Sequence, residues 1–387
     1  MSMETTVYKL EDIFDNYDYL RKPLSSMERE SFKGEYPYYG AQGIIDYVQE
    51  YRCNGEYMLI AEDGENLMSR SQPIALIANG KFWVNNHAHI VRTNELANMR
   101  YTCYALNHLD ITGFVTGSAQ PKLSQGNLNK IKLAFPPIVV QERIVEILSA
   151  YDNLIEINNK RIKVLEQMAE NLYKEWFVRF RFPGYENEEF ENGIPKGWKY
   201  CTVESFSVVL QRGISPNYDD EGDLTVISQK CIRQNIMDIK EARGQTKAFK
   251  PELNLVDGDT VICSTGTGTL GRIGQVYGNY PNTTFDSHVT LVRAKAPIGK
   301  HFLYWTLKEM QPWFMNMGIG STNQQELYRS TIKNAKALKP RDEIIDHFEK
   351  IVEPIHTRIV LLINNQENLI KQRDYLLPRL MSGKLEV

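Results

Sequence analysis

The strongest constraint on this chain is that its sequence is built twice. Gly117-Ser118-Ala119-Gln120-Pro121-Lys122-Leu123 echoes Gly320-Ser321-Thr322-Asn323-Gln324-Gln325-Glu326-Leu327. Upstream, His87-Ala88-His89-Ile90-Val91-Arg92 echoes His288-Val289-Thr290-Leu291-Val292-Arg293. Downstream, Pro137 answers Pro340, and Asn158-Asn159 answers Asn364-Asn365. The four offsets all lie close to two hundred residues and keep their order, which is the mark of a tandem duplication. The halves are not equally alike. Tyr36 to Tyr51 has no convincing counterpart, so the frame is kept while two surfaces differ.

Each half ends in a helical pattern. After Phe135-Pro136-Pro137, the residues Ile144, Leu148, Tyr151, Ile155, Asn158, Ile162, Leu165, Ala169, Leu172 and Trp176 follow the alternating four-three spacing of a coiled-coil seam. A helix over 141–177 spans ~55 Å at ~1.5 Å per residue, and Phe182-Pro183-Gly184 ends the run. Phe348, Val352, Ile355, Ile359, Leu362, Gln366, Leu369, Leu376 and Leu380 form a second seam, interrupted by Arg373. Pro354 is expected to loosen its first turns, and Pro378 and Gly383 to end it. Asn158 and Gln366 are polar seam residues of the kind that fix register. The helices are too long for one small domain to cover, which favours antiparallel pairing within the chain.

The globular parts read as short strands with one helix each. In the first, strands are expected over 56–61, 73–78, 82–85 and 89–92, and a helix over 96–106. In the second they are expected over 223–228, 260–264, 273–277 and 289–293, and a helix over 301–310. The expected fold is therefore α+β, with two mixed α/β domains in tandem, mostly antiparallel. They occupy 1–137 and 183–337, with spacer helices in 138–182 and 338–387 that pair as an antiparallel coiled coil with pseudo-twofold symmetry.

Motifs for catalysis are weak. Gly266-Thr267-Gly268-Thr269-Leu270-Gly271 fits GxGxxG, which would make a nucleotide-cofactor enzyme the alternative function. That motif needs a following helix, and Arg272 to Gly278 is a poor one. No GxxxxGK[ST] supports ATP hydrolysis, and no Asn-Pro-Pro-Tyr or Asp-Pro-Pro-Tyr supports amino-methyl transfer. His87 and His89 read as alternation on a strand with one side facing the core, and His288 as their structural echo. Five cysteines at wide spacing, none in CxxC, argue against disulfides and zinc and fit a reducing cytoplasm. No apolar run reaches the ~20 residues of a membrane span, and no secretory signal core is visible. A protein-only coiled-coil scaffold is a third reading. It is disfavoured because the heads differ most in loops rich in Gln, Arg and Tyr.

Those loops suit DNA. Tyr38, Tyr39 and Gln42, then Arg70 and Lys81, then Gln120 and Lys122 are the candidate DNA contacts of the first half. Gln229, Lys230, Arg233, Ser264, Thr265, Thr267, Thr269, Arg272 and Gln324 are those of the second. Gln and Arg read adenine and guanine with paired hydrogen bonds, while hydroxyls and backbone N–H groups reach phosphates. Yet the net charge is −3, with the deficit in residues 1–137. A lone DNA binder usually carries a basic excess, so a partner is expected to supply positive charge.

The whole pattern resembles the specificity subunits of type I restriction–modification systems. The resemblance rests on Gly117 to Leu128 leading into 135–144, on the run 165–177, and on 376–385. It also rests on Ser264 to Arg272 with Asp286-Ser287-His288-Val289. It implies a non-catalytic chain whose two target-recognition domains each read half of a split, asymmetric double-stranded DNA site. The paired helices would set the gap. Two modification (methyltransferase) subunits would bring S-adenosylmethionine, and a restriction (motor and nuclease) subunit would bring ATP and Mg. No cofactor is expected in this chain. Leu338-Lys339-Pro340-Arg341-Asp342 departs from the family's double proline and leaves the start of the second helix open.

Overall fold

The structure, a computed structural model, describes residues 4–117, 120–233, 235–320 and 325–387. The chain forms two compact units, one from 1–156 with 367–387 and one from 157–366. Each long helix runs from one unit into the other.

In the first unit, four antiparallel strands lie side by side in the order Phe14–Asn16, Ala88–Thr93, Tyr57–Ala61, Ala75–Ala78. Tyr57–Ala61 is central and buried along its whole length, which explains its unbroken apolar run. The helix Met99–His108 covers this sheet, with Asn98 accepting the N–H groups of Arg100 and Tyr101 at its start. A second sheet has the order Gly43–Val48, Lys33–Gly40, Lys81–Val84, Cys53–Asn54, with the middle pair parallel. Thr6–Lys9 pairs with Lys132–Phe135 and closes the unit against the helix entrance.

The second unit repeats the frame. Ser207–Arg212, Val289–Ala294, Thr260–Cys263 and Ile273–Gln275 have the same order and the same antiparallel sense as the four strands above. Ile236–Met237 and Ile232–Arg233 extend that sheet. Lys300–Glu309 is the covering helix, and Lys199–Thr202 pairs with Lys336–Lys339 as Thr6–Lys9 does with its partner. A further sheet, Arg243–Gln245, Leu224–Ile227 and Thr283–Phe285, repeats the order of Gly43–Val48, Lys33–Gly40 and Lys81–Val84, with the same antiparallel and then parallel pairing.

The long helices are Ile138–Tyr173, continued by wider π-type turns over Lys174–Val178, and Asp342–Met381. Within the first unit, Ile144 and Leu148 share a core with Leu376, Leu377 and Leu380. Within the second, Ile162 and Leu165 pack with Ile359 and Leu362, and Trp176 with Phe348. The start of one helix thus meets the end of the other, so they pair antiparallel. The register is constant: Asn159 Oδ1 accepts from Gln366 Nε2 at 2.8 Å, and Arg373 donates to Asp152 at 2.7 Å. Asp152 and Asn159 are seven apart, as are Gln366 and Arg373, in the opposite sense.

Two prolines differ from expectation, and one open point resolves. Pro354 and Pro378 lie inside the second helix, which is unbroken from Asp342 to Met381. Pro354 is exposed, so the carbonyl its ring leaves without a donor can turn to water. The open entrance after Pro340 resolves with the helix starting at Asp342, two residues on.

Candidate nucleic-acid interface

In the first unit, three segments meet where the central strands end: Glu62-Asp63-Gly64, His87, and the turn from Thr116 to Lys122. Glu62 N–H donates to the His87 carbonyl at 2.9 Å, and Leu123 N–H to that of Glu62 at 2.7 Å. Thr116 and Lys122 exchange backbone bonds of 2.9 and 2.7 Å. Gly117 has φ +87°, and a Cβ there would lie 2.4 Å from the Gln120 carbonyl, so the turn requires glycine.

Beneath the turn lies a charged cluster. His89 is buried, with Nδ1 2.7 Å from Asp18 and Nε2 3.0 Å from the Leu123 carbonyl. Arg21 pairs with both Asp18 and Glu62, and Lys122 Nζ lies 3.0 Å from Glu62. Burial alone would raise the Asp18 carboxyl. Hydrogen bonds from His89 and the Ile90 N–H, with the nearby Arg21 charge, outweigh it and hold Asp18 below its ordinary value. Glu62 is pulled down in the same way, against burial, by Arg21 and Lys122.

The second unit keeps the backbone and changes the side chains. Ser264 N–H donates to the His288 carbonyl at 2.7 Å, Leu327 N–H to that of Ser264 at 2.8 Å, and Ile319 and Glu326 exchange bonds of 3.0 Å. These match the first unit bond for bond. In place of the charged cluster, Ser264 and Thr290 share a buried 2.6 Å hydroxyl contact, and Arg212 pairs with Glu326. Lys122 therefore corresponds to Glu326, Asp63 to Thr265 and His89 to Thr290.

The candidate contacts fall into three groups. Gln42 is exposed in the two-residue turn between Lys33–Gly40 and Gly43–Val48, and Gln120 is exposed on the Gly117 turn. Lys81 is exposed with Nζ 4.8 Å from the Tyr51 ring centre, and Lys230 and Thr267 are exposed too. Lys122, Arg233, Thr265, Thr269 and Gln229 lie at the surface or half-buried. Of these, Lys122 is tied to Glu62, Arg233 to the Lys230 carbonyl, Thr265 to His288, and Thr269 to the Thr265 and Gly266 carbonyls.

A second group is not brought to the surface. Tyr38 is in the core, its hydroxyl accepting from Leu24 N–H at 2.8 Å, and Ser264 is fully buried. Tyr39 is half-buried against Phe82, and that burial raises its phenol. The third group braces backbone. Arg70 ends the short helix Asn66–Ser69 with φ 54° and donates to the carbonyls of Leu106 and Asn107. Arg272 donates to the carbonyls of Ile232 and Gly268, both at 3.0 Å. Gln324 lies outside the described residues.

The GxGxxG segment is a tight loop between the antiparallel strands Thr260–Cys263 and Ile273–Gln275. No helix follows it, and Thr269, Leu270 and Arg272 spend their N–H groups inside the loop. A pyrophosphate cradle of the dinucleotide type is therefore not built here. Among the described residues no cluster of three or more His, Cys, Asp or Glu could hold a metal ion. Among them, too, no helix is long and apolar enough to cross a membrane.

Residues 3–167 match the family model described as type I restriction modification DNA specificity domain. Over 142 residues, 36% of both chains, the sequence is 40% identical to a provisionally named type I restriction enzyme specificity subunit of Haemophilus influenzae. It is 24% identical to the MjaIX type I restriction enzyme specificity subunit of Methanocaldococcus jannaschii, over 94% of this chain and 90% of that one. The chain is thus similar to type I restriction enzyme specificity subunits, at 40% identity over part of its length and at 24% over most of it. A type I S subunit of M. genitalium has the same fold, at TM-score 0.60 and 15% identity, covering 98% of this chain and 96% of that one. The family model and both relatives are described as a DNA specificity domain or as specificity subunits of type I restriction enzymes.

Sequence reasoning missed Arg21, Asp18, Glu62, Asp63, Arg212 and Glu326. Glu326 was within reach, because it follows the Gly320 repeat as Lys122 follows Gly117. Arg21 and Asp18 join through folding alone and leave no local pattern.

Proposed function

We propose that each recognition domain reads one half of a split, asymmetric duplex target. On this reading the domains are 1–137 and 183–337, and the helices in 138–182 and 338–387 set the gap between half-sites. The observation that carries it is the pair of matched backbone frames bearing unlike side chains, Lys122 against Glu326 and Asp63 against Thr265. One architecture then presents two different chemical surfaces to two different half-sites.

Two modification subunits would bring S-adenosylmethionine, and a restriction subunit would bring ATP and Mg. The net charge of −3 supports the need for them, since counterion release from phosphates requires a cationic surface. Exposed Gln42, Lys81, Gln120, Lys230 and Thr267 are the DNA contacts this reading favours. Lys122, Gln229, Arg233, Thr265 and Thr269 join them through the segments they occupy, and Gln324 through its place in the repeated sequence. The five free cysteines, four of them buried, suit a reducing cytoplasm.

The test is to co-purify the chain with its modification subunits and sequence the methylated sites genome-wide. A two-part motif with an unspecified gap is expected, and a single ungapped motif would overturn the reading.

A further inference from the structure

One exposed side chain at the two interfaces is the same while its neighbours differ. His87 and His288 occupy equivalent places, and both are exposed, His87 with 46% of its side chain accessible. Each is held by three matching bonds. Its N–H donates to the Oδ1 of the residue two before it, Asn85 at 2.8 Å or Asp286 at 2.9 Å. Its carbonyl accepts from Glu62 or Ser264. Its ring turns Nδ1 to the residue that opens the next loop, Asp63 at 2.7 Å or Thr265 at 2.6 Å.

The first two bonds use only backbone atoms of the histidine, and any residue could make them. The third differs between the units, an acid in one and a hydroxyl in the other. Packing gives no reason to keep the ring, because it is exposed. Around it Glu62 has become Ser264, His89 has become Thr290, and Lys122 has become Glu326. What the two places share is a clamped imidazole whose Nε2 makes no hydrogen bond within the described protein.

We infer that His87 and His288 each hold a backbone phosphate of the DNA. Two domains that read different sequences meet only one feature in common, the sugar–phosphate chain. A side chain kept the same in both is matched to that feature, while the side chains that diverged are matched to bases. The chemistry suits an anion in either setting. Where the Thr265 hydroxyl donates to Nδ1, the neutral ring carries its hydrogen on Nε2. Where Asp63 accepts from Nδ1–H, its carboxylate fixes the ring as Thr265 fixes that of His288. This inference rests on the split-target reading.

The test uses the full chain co-purified with its modification subunits, on duplexes carrying its methylated motif with one methylphosphonate linkage at a time. In the unaltered complex, one linkage per half-site is expected to weaken binding about 5-fold or more, as loss of a charge-assisted hydrogen bond does. His87→Gln and His288→Gln should each abolish the effect of their own linkage, because the contact is already gone. They should lower affinity by the same factor for motif-bearing and unrelated duplexes, and leave the methylated motif unchanged. Substitution and methylphosphonate effects that multiply at every linkage would overturn the inference, and so would an altered motif or an unchanged affinity. Thermal unfolding midpoints check folding. Asp63→Asn and Thr265→Val, which loosen the ring without removing it, should blunt the same two linkages. An unaltered complex that methylates an ungapped motif would show that the parent reading itself had failed.

Discussion

Arg272 shows why residue type alone misleads. Its sequence setting, in a loop of Ser, Thr and Gly, suits a guanine reader, yet its guanidinium is engaged with the carbonyls of Ile232 and Gly268. Arg272→Ala should therefore lower the stability of the second unit by about 1–2 kcal/mol, read as a lower thermal unfolding midpoint without DNA. Arg272→Lys should rescue little, since an ammonium cannot span both carbonyls in one plane. Tyr38 gives the same lesson. An aromatic residue in a tyrosine-rich stretch reads equally well as a base-stacking platform or as core, and only the partner sheet decides.

Glu166 is a separate case, a carboxyl 9% exposed with one oxygen that has no hydrogen-bond partner among the described residues. Burial pushes it up to about 7. A raised acid favours the folded state fully below its unfolded value and loses that contribution as pH rises through the folded value. Glu166→Gln should thus raise the unfolding midpoint at pH 8, by about 1–3 kcal/mol in stability, and change it little at pH 5. Equal effects at both pH values would contradict a protonated Glu166.

Among the elements, the helices were the most legible. The seam from Ile144 to Trp176 faces inward as the spacing requires, because a heptad pattern is local information. Three of the four repeated strands in each unit were also legible from their apolar runs, to within a few residues at each end, whereas Phe14–Asn16 and Ser207–Arg212 were not. The pairing of Thr6–Lys9 with Lys132–Phe135 was not, since it joins segments far apart in sequence. The unbroken path through Pro354 was not legible either, because pairing with the first helix outweighs local propensity. Arg373, an apparent break in the second seam, is explained by Asp152, whose carboxylate also accepts from the Tyr104 hydroxyl. Asp152→Ala should cost about 1–2 kcal/mol, given that both partners are partly exposed. Asp152→Leu with Arg373→Leu should cost less than the two single changes summed, as measured by a denaturation cycle.

For the whole molecule, the constant register of the helices makes the proposed ruler testable. Removing residues 153–159 together with 366–372 deletes one heptad from each helix and keeps Asp152 opposite Arg373. The pair shortens by ~10 Å at ~1.5 Å per residue, which is ~3 base pairs at ~3.4 Å each. The methylated motif should keep both half-sites and lose about that much gap. Changed half-sites would contradict a ruler. The matched frames were readable from the duplicated landmarks, whereas the half-site sequences lie in loop geometry that no repeat encodes.

The first unit also has an unusual composition in chain order, because it is completed by residues 367–387. Leu376, Leu377 and Leu380 belong to its core, yet they leave the ribosome only after the second unit. The earlier-made head must wait through the synthesis of the whole second unit before its final apolar face is covered. A nascent chain halted anywhere between the heads thus carries an open groove along Ile144 and Leu148. The end of a second incomplete chain's first helix, which repeats the seam pattern of the missing strip, could cover it there, so premature termination should yield dimers paired through their helices rather than isolated half-molecules.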